Sequence, residues 1–289
     1  MLAQEQIEFY HAQGYLVFED VLTRDELDEA QRIVDDFVEQ SRQVIESQGH
    51  FDLEPGHTPE NPKVRRLSSP ARYHPFFDKL MRADRVLDIL TPLIGPAIRA
   101  QGDKLNMKPA AGGSAVEWHQ DFAHYPHTND DLCAVGIALD DATEENGCMM
   151  VVPQSHKGPI LDHHQDGYFI GAISPTRDGI DLSRAVPLAV KAGGLTVHHA
   201  RTLHGSATNT SGQSRRLLLY QYAAADAWPF GGVGDWDQFN GQILRGEPTY
   251  DFRCASLVAR TRLPAGSRTG GGIYELQKPL EEKLFAAAG

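Results

Sequence analysis

Past Gly95 the chain can no longer build long helices. It runs instead in short apolar or alternating stretches, AIRAQGDKLNMK, LCAVGIALDD, CMMVVPQSH, AVPLAVK, LTVHHA and RRLLLYQYAA, divided by turns rich in Gly, Pro, Asn and Asp. Stretches of this length between turn residues read as strands, and six in series predict an antiparallel barrel or jelly roll. Before Gly95 the period is helical. Thr23 with Glu26 forms a capping-box pair, and Leu27, Ala30, Ile33, Val34, Phe37 and Val38 then recur at helical spacing, which predicts a helix running up to Gly49. A later pattern, Val86, Ile89, Leu90, Leu93 and Ile94, stops at Gly95 before Pro96. The expected fold is therefore α+β and mainly β, in one domain over 1–289. A helical buttress spans 1–95, a cupin-like jelly-roll core 96–225, and a loop-rich C-terminal cover 226–289 with a mobile GSRTGGG stretch and a short terminal helix.

With 289 residues, 41% of them hydrophobic, the chain can bury a large core. A net charge of -12 repels phosphate, so neither nucleic acid nor an anionic membrane is an expected partner. Three cysteines without C-x-x-C spacing indicate neither a disulfide framework nor a zinc ribbon, and fit a reducing cytoplasm. The polar, acidic start MLAQEQIEFYHAQG is unlike a signal peptide, and no apolar run approaches the roughly 20 residues of a membrane span. A soluble, unexported protein is expected.

The chemistry concentrates in VEWHQDFAHYP. In extended chain, residues two apart leave the same face, so His119 and Asp121 can grip one metal ion. LHGSATNTSGQSRR offers His204, at the end of the strand-like LTVHHA run, as a third ligand. Two imidazoles and a carboxylate make the facial triad of non-haem iron(II). An H-x-D pair alone is commonly only a surface hydrogen bond. Arg215 adds weight, since a dicarboxylate co-substrate such as 2-oxoglutarate needs a planar, two-pronged cation for its far end, and Arg216 would point the other way.

At this point the chain resembles the phytanoyl-CoA dioxygenase family of iron(II)/2-oxoglutarate oxygenases. EQIEFYHAQGYLVFEDVLTRDEL resembles the family's opening, WHQD its metal motif, ATEENGCMMVVPQSHKG its middle strands, and HGSATNTSGQSRR its distal histidine and arginine. The resemblance implies a double-stranded β-helix, with His119, Asp121 and His204 as ligands of Fe(II). It implies Arg215 as the 2-oxoglutarate clamp, and Ser206 and Asn106 as further 2-oxoglutarate contacts. It also implies O2 as second co-substrate, and hydroxylation of a C–H bond of a small molecule with release of succinate and CO2. Halogenating relatives lack the carboxylate, so Asp121 reads as the mark of a hydroxylase. An acyl-CoA substrate is the alternative within this mechanism, disfavoured by the absence of a dense Lys/Arg cluster near the motifs. A cupin-like metal protein without oxygen chemistry is the alternative outside it.

Other residues are weighed against these. Of the adjacent His198 and His199 only one can face inward, and a place behind the ligands suits it better than a place among them. His163, His164 and His127 read as solvated loop histidines, whereas His124 and Tyr125 follow the metal motif closely enough to touch a substrate. Lys104 shares a face with Asn106 and either meets an anionic substrate group or is solvated. Trp118 should face away from the metal. Glu144, Glu145 and Asn146 look like a turn, and Pro153 and Ser155 a bend.

Overall fold

The structure, a computed structural model, describes residues 2–110, 112–255, 264, 266 and 271–285. The helices of the first part are α1 (Gln4–Gln13), α2 (Arg24–Gln40), α3 (Pro70–Tyr73), α4 (Pro75–Met81) and α5 (Asp84–Ile94). The Thr23 box forms as expected: the Thr23 hydroxyl accepts from the Glu26 N–H (3.3 Å) and the Glu26 carboxylate from the Thr23 N–H (3.0 Å). α2 stops at Gln40, however, and does not reach Gly49. The Ser41 hydroxyl donates to the Val38 carbonyl (2.6 Å), and the chain tightens there into a 3-10 turn over Ser41–Gln43.

Fourteen strands, numbered along the chain, form two principal antiparallel sheets and one hairpin among the described residues. The larger sheet orders β1 (Tyr15–Phe18), β11 (Leu195–His199), β6 (Leu132–Ala138), β13 (Arg215–Ala224), β4 (Ile98–Lys108), β3 (Val64–Ser68) and β2 (Phe51–Leu53), with β14 (Ile243–Arg245) also on β4. The smaller orders β10 (Val186–Pro187), β7 (Met149–Val151), β12 (His204–Ser206) and β5 (Val116–His119). β8 (His164–Gln165) and β9 (Tyr168–Phe169) form the hairpin. Successive strands β4, β5, β6 and β7, and again β11, β12 and β13, alternate between the two sheets.

Three corrections follow. Residues 1–95 are more than a helical buttress, because β1, β2 and β3 extend the larger sheet at both edges. The cover likewise lends β14 to β4. His204 does not end the LTVHHA run; it begins β12, in the opposite sheet. Three short helices complete the description, α6 (Pro175–Asp178), α7 (Trp236–Gly241) and α8 (Ile273–Leu276), the last being the expected terminal helix. Most of GSRTGGG lies outside the described residues. Among these, no helix is long and apolar enough to cross a membrane.

The period-two pattern of β13 sorts the interior. Leu218, Tyr220 and Tyr222 join Leu105, Val135, Ile137 and Val197 in the main core, where Ile33, Val34 and Phe37 of α2 and Val86 and Leu90 of α5 cover them. Arg215, Leu217, Leu219 and Gln221 point to the other face, toward the smaller sheet, and line a cavity. One face of the large sheet is thus a hydrophobic wall and the other carries chemistry. Leu218 is fully buried at the centre of the apolar face. Leu218→Ala should cost about 2–5 kcal/mol, read as a lower denaturant midpoint at unchanged slope. A loss below 1 kcal/mol would contradict this placement.

Candidate metal and co-substrate site

β5 and β12 pair antiparallel with His119 opposite His204, so their rings lie 4.0 Å apart at the mouth of the smaller sheet. Asp121 follows in the 3-10 turn Asp121–Ala123, its Oδ1 3.7 Å from His119 Nε2 and 3.9 Å from His204 Nε2. All three are buried, and one ligand atom from each lies within 4.8 Å of the others. The tautomers follow from the neighbours. His119 Nδ1 is 2.8 Å from the Glu117 carbonyl and His204 Nδ1 is 2.9 Å from the Thr202 carbonyl. A carbonyl only accepts, so each Nδ1 carries the proton and each Nε2 turns its lone pair to the common centre. Two nitrogens and a carboxylate oxygen in that arrangement fit a divalent first-row metal such as iron(II).

Electrostatics hold the set in its ligating state. Burial alone would raise the Asp121 pKa, but His198, His204 and Lys104 outweigh it and keep the carboxyl well below its ordinary range. Burial, then His204, holds His119 well below the usual imidazole value; burial, then His198, lowers His204 to about 4. His198 is the inward member of its pair, its Nε2 3.4 Å from Asp121 Oδ2 but not aligned as a hydrogen bond. His199 turns away toward His156 and Asp130. The Tyr125 hydroxyl accepts from Gln221 Nε2 (2.9 Å), and burial, then the Asp121 carboxylate, hold its pKa well above the ordinary phenol value.

The residue between the first two ligands is clamped. Gln120 is fully buried; its backbone N–H donates to His163 Nε2 (2.8 Å), and His163 Nδ1 donates in turn to the Leu161 carbonyl (2.8 Å). Its side chain accepts from the Leu161 N–H (2.8 Å) and donates to the Arg201 carbonyl (2.9 Å). His163 is therefore no solvated loop histidine, and His164 and His127 are buried too. Each sits where a backbone carbonyl or carboxylate takes its Nδ1–H: Leu161 for His163, Tyr125 for His127 and Asp162 for His164. His124 is half-buried, its ring 5.6 Å from that of His119 and its Nε2 without a hydrogen bond.

Arg215 opens β13 and is buried. Its Nη2 donates to the Gly147 carbonyl (2.9 Å) and the Ser206 hydroxyl (3.2 Å), and Ser206 donates to the same carbonyl (2.7 Å). No carboxylate pairs with it among the described residues, and its Nε lacks a partner. Arg216 faces the opposite way and pairs with Asp140 and Asp35 (both 2.7 Å). On the same cavity wall the Asn106 Oδ1 is buried without a partner, and the half-buried Lys104 makes no hydrogen bond or ion pair to a described residue. Trp118 faces away and stacks on Phe285 (5.3 Å). Gly147, Gln221 and Tyr274 were not predicted for this site. Gln221 shares the Arg215 face at even spacing and could have been read; Tyr274, in the cover, carries no local signal.

The sequence pattern of the phytanoyl-CoA dioxygenase (PhyH) family matches residues 10–217. The chain belongs to this family. Among its relatives, a probable alpha-ketoglutarate-dependent hypophosphite dioxygenase of Stutzerimonas stutzeri is 40% identical over 226 residues, 77% of this chain and 78% of that one. L-proline trans-4-hydroxylase of Streptomyces griseoviridis is 31% identical over 164 residues, 50% of this chain and 61% of that one. The crystal structure of EctD from S. alaskensis with 2-oxoglutarate and 5-hydroxyectoine shares the fold at a TM-score of 0.67 and 22% identity, over 91% of this chain and 89% of that one. The protein is a dioxygenase of the iron- and 2-oxoglutarate-dependent class, which sets aside the cupin-like reading without oxygen chemistry.

The buried histidines have a consequence in acid. Burial lowers His124 to about 3 and His163 and His127 to about 4, as it does His204. Below about pH 6.5 the unfolded chain takes up protons that the folded chain refuses until about pH 4. Stability of the metal-free protein should therefore fall as pH drops through that window, by roughly 1.4 kcal/mol per pH unit for each such histidine. Denaturant unfolding at pH 7.5 and 5.5 measures it; equal stabilities would contradict the buried, neutral assignment.

Proposed function

We propose that His119, Asp121 and His204 hold the iron, and that Arg215, steadied by Ser206, takes the distal carboxylate of 2-oxoglutarate. Asn106 turns its free amide to the same co-substrate. The alternation of successive strands between two facing sheets supports a double-stranded β-helix, with 1–289 acting as one oxygenase domain. Three unpaired cysteines suit a reducing cytoplasm. Iron held there would let O2 give one oxygen atom to 2-oxoglutarate, which loses CO2 to become succinate, and the other to an X–H bond of the substrate, giving X–OH.

The substrate is a small molecule bearing an anionic group, which Lys104 receives. One observation carries this reading: two cations, Arg215 and Lys104, share a cavity with the three ligands, and neither has an ion-pair partner among the described residues. Arg215 lies beside Ser206, on the far side from Asp121, and suits the diacid. Lys104 is close enough to Asp121 to lower its pKa, so an anion held by Lys104 is presented to the metal centre. Gln221 lines the same cavity and donates to the Tyr125 hydroxyl, and the His124 ring lies 5.6 Å from that of His119, so Tyr125 and His124 stand behind the wall. The cavity is tight, about 40 Å3, against the roughly 10–15 Å3 a single water requires. Hypophosphite, small and anionic with hydrogen on phosphorus, is the first candidate, supported by the 40% identical relative. A free amino acid presents its carboxylate to Lys104 in the same way and offers a C–H bond, as the proline hydroxylase relative suggests.

Succinate release by the iron-loaded protein with 2-oxoglutarate, ascorbate and either hypophosphite or L-proline tests the reading. Hypophosphite should stimulate it, and Lys104→Met should raise its KM about tenfold or more, as expected for loss of a charge-assisted hydrogen bond, while iron stays bound. No stimulation by any small anion would overturn the substrate class. Separately, His119→Ala, Asp121→Ala and His204→Ala should each abolish iron binding measured anaerobically, since three ligands leave little redundancy. Arg215→Ala should keep iron but weaken 2-oxoglutarate by about 1.5–3 kcal/mol.

A further inference from the structure

The cavity is closed on one side by a segment that the family pattern, ending at residue 217, does not reach. Ile273 and Tyr274 of α8 enter it, and with Val116 they form a small apolar cluster beside Arg215 and Ser206. Tyr274 is 6% exposed. Elsewhere in the interior, Tyr220 and Tyr222 spend their hydroxyls on the Phe77 (2.8 Å) and Met81 (3.0 Å) carbonyls and Tyr125 accepts from Gln221 (2.9 Å), while the unpaired Tyr10 hydroxyl lies in the main apolar core, away from any cation. The Tyr274 hydroxyl bonds to no described residue. It lines the same cavity as the buried Arg215.

The position of Tyr274 is held from several directions. Arg65, paired with Asp52 (2.7 Å) and Glu275, lies over the Tyr274 ring with its guanidinium carbon 4.9 Å from the ring centre. Gln277, one turn on, is buried; its side chain accepts from the Glu117 N–H (2.9 Å) and donates to the Gly171 carbonyl (3.0 Å). Further along, the Leu284 and Phe285 N–H groups donate to the Glu117 carboxylate (3.0 and 3.1 Å). A phenol fixed so firmly, with its donor unspent beside an unpaired guanidinium, is built for an anion.

We propose that Tyr274 is a specificity-determining residue of the co-substrate site: its hydroxyl is a second donor, beside Arg215, to the distal carboxylate of 2-oxoglutarate. The proposal rests on the reading of Arg215 given above. Burial, opposed by Arg215, pushes the Tyr274 phenol up to about 12, so it stays a donor at neutral pH. Arg215 alone offers a charge; Arg215 with Tyr274 offers donors from two directions, which fixes where the diacid ends and selects a terminal carboxylate over a methyl group.

Anaerobic titration of the iron(II)-loaded protein, followed by the visible charge-transfer band of a chelated 2-oxo acid, tests this by binding alone. The ligands are 2-oxoglutarate and 2-oxopentanoate, which keeps the chelating end and carries a methyl group in place of the distal carboxylate. Tyr274→Phe should weaken 2-oxoglutarate about tenfold and leave 2-oxopentanoate unchanged, narrowing the preference between the two. Equal weakening of both ligands would mean that Tyr274 only shapes the cavity, and no weakening would mean that it does not touch the co-substrate. Either result overturns the proposal. Arg215→Ala, titrated in parallel, separates the two layers. If it binds 2-oxoglutarate like the parent protein, the assignment of Arg215 fails and Tyr274 with it; if Arg215→Ala is weak while Tyr274→Phe is normal, the tyrosine alone is wrong.

Discussion

The antiparallel pairing of β5 with β12 is the contact on which the rest depends. It sets His119 against His204 across a ladder of only a few residues. Within β12 the period of two then puts Ser206 on the same face as His204, beside Arg215. Slippage by one residue would turn these side chains out of the cavity together. Short strands are weakly held by their own hydrogen bonds, so the register must be enforced from outside. The clamp on Gln120, the Thr202 and Glu117 carbonyls, and the Gln277 side chain do this at the ends of both strands.

The larger sheet divides its labour by face. Its helix-covered side is apolar and supplies most of the burial that stabilises the chain. Its other side holds Arg215 and Lys104 without a counterion among the described residues, an arrangement that costs stability. The arginine remains charged because its guanidinium is intrinsically so basic, even though burial lowers it. The histidines go the opposite way and stay neutral, which is what ligation requires. A cavity that keeps its cations charged and His119 and His204 neutral sets the metal-free ground state against folding.

Much of this was readable from residues alone. The H-x-D spacing, the distant histidine and the arginine on an apolar strand each announce themselves because their geometry follows from a fixed backbone period. The helix from Thr23 was readable at its start, where a cap is a local event, and misread at its end, where Ser41 turns on a carbonyl of its own last turn. The assignment of His204 to the end of the LTVHHA run failed because three residues, Arg201 to Leu203, carry the chain across to the other sheet, and no periodicity marks so short a crossing. His127, His163 and His164 were misjudged as solvated for a related reason. An imidazole can be buried wherever an acceptor stands in reach, and where acceptors stand is a property of the fold. Tyr274 was beyond reach altogether, because its meaning depends on sharing a cavity with Arg215, 59 positions away in sequence.

Glu117 gives the cover a significance beyond shielding. Its carbonyl fixes the tautomer of His119 while its carboxylate receives the N–H groups of Leu284 and Phe285. One residue thus answers both to the metal centre and to the segment that closes the diacid end. Energy passed between two sites through a shared residue is reciprocal: whatever steadies the segment steadies the ligand, and the ligand returns the favour in equal measure. Were iron to sit on His119 and 2-oxoglutarate beside Tyr274, as proposed above, Glu117 would be the residue that both ends share.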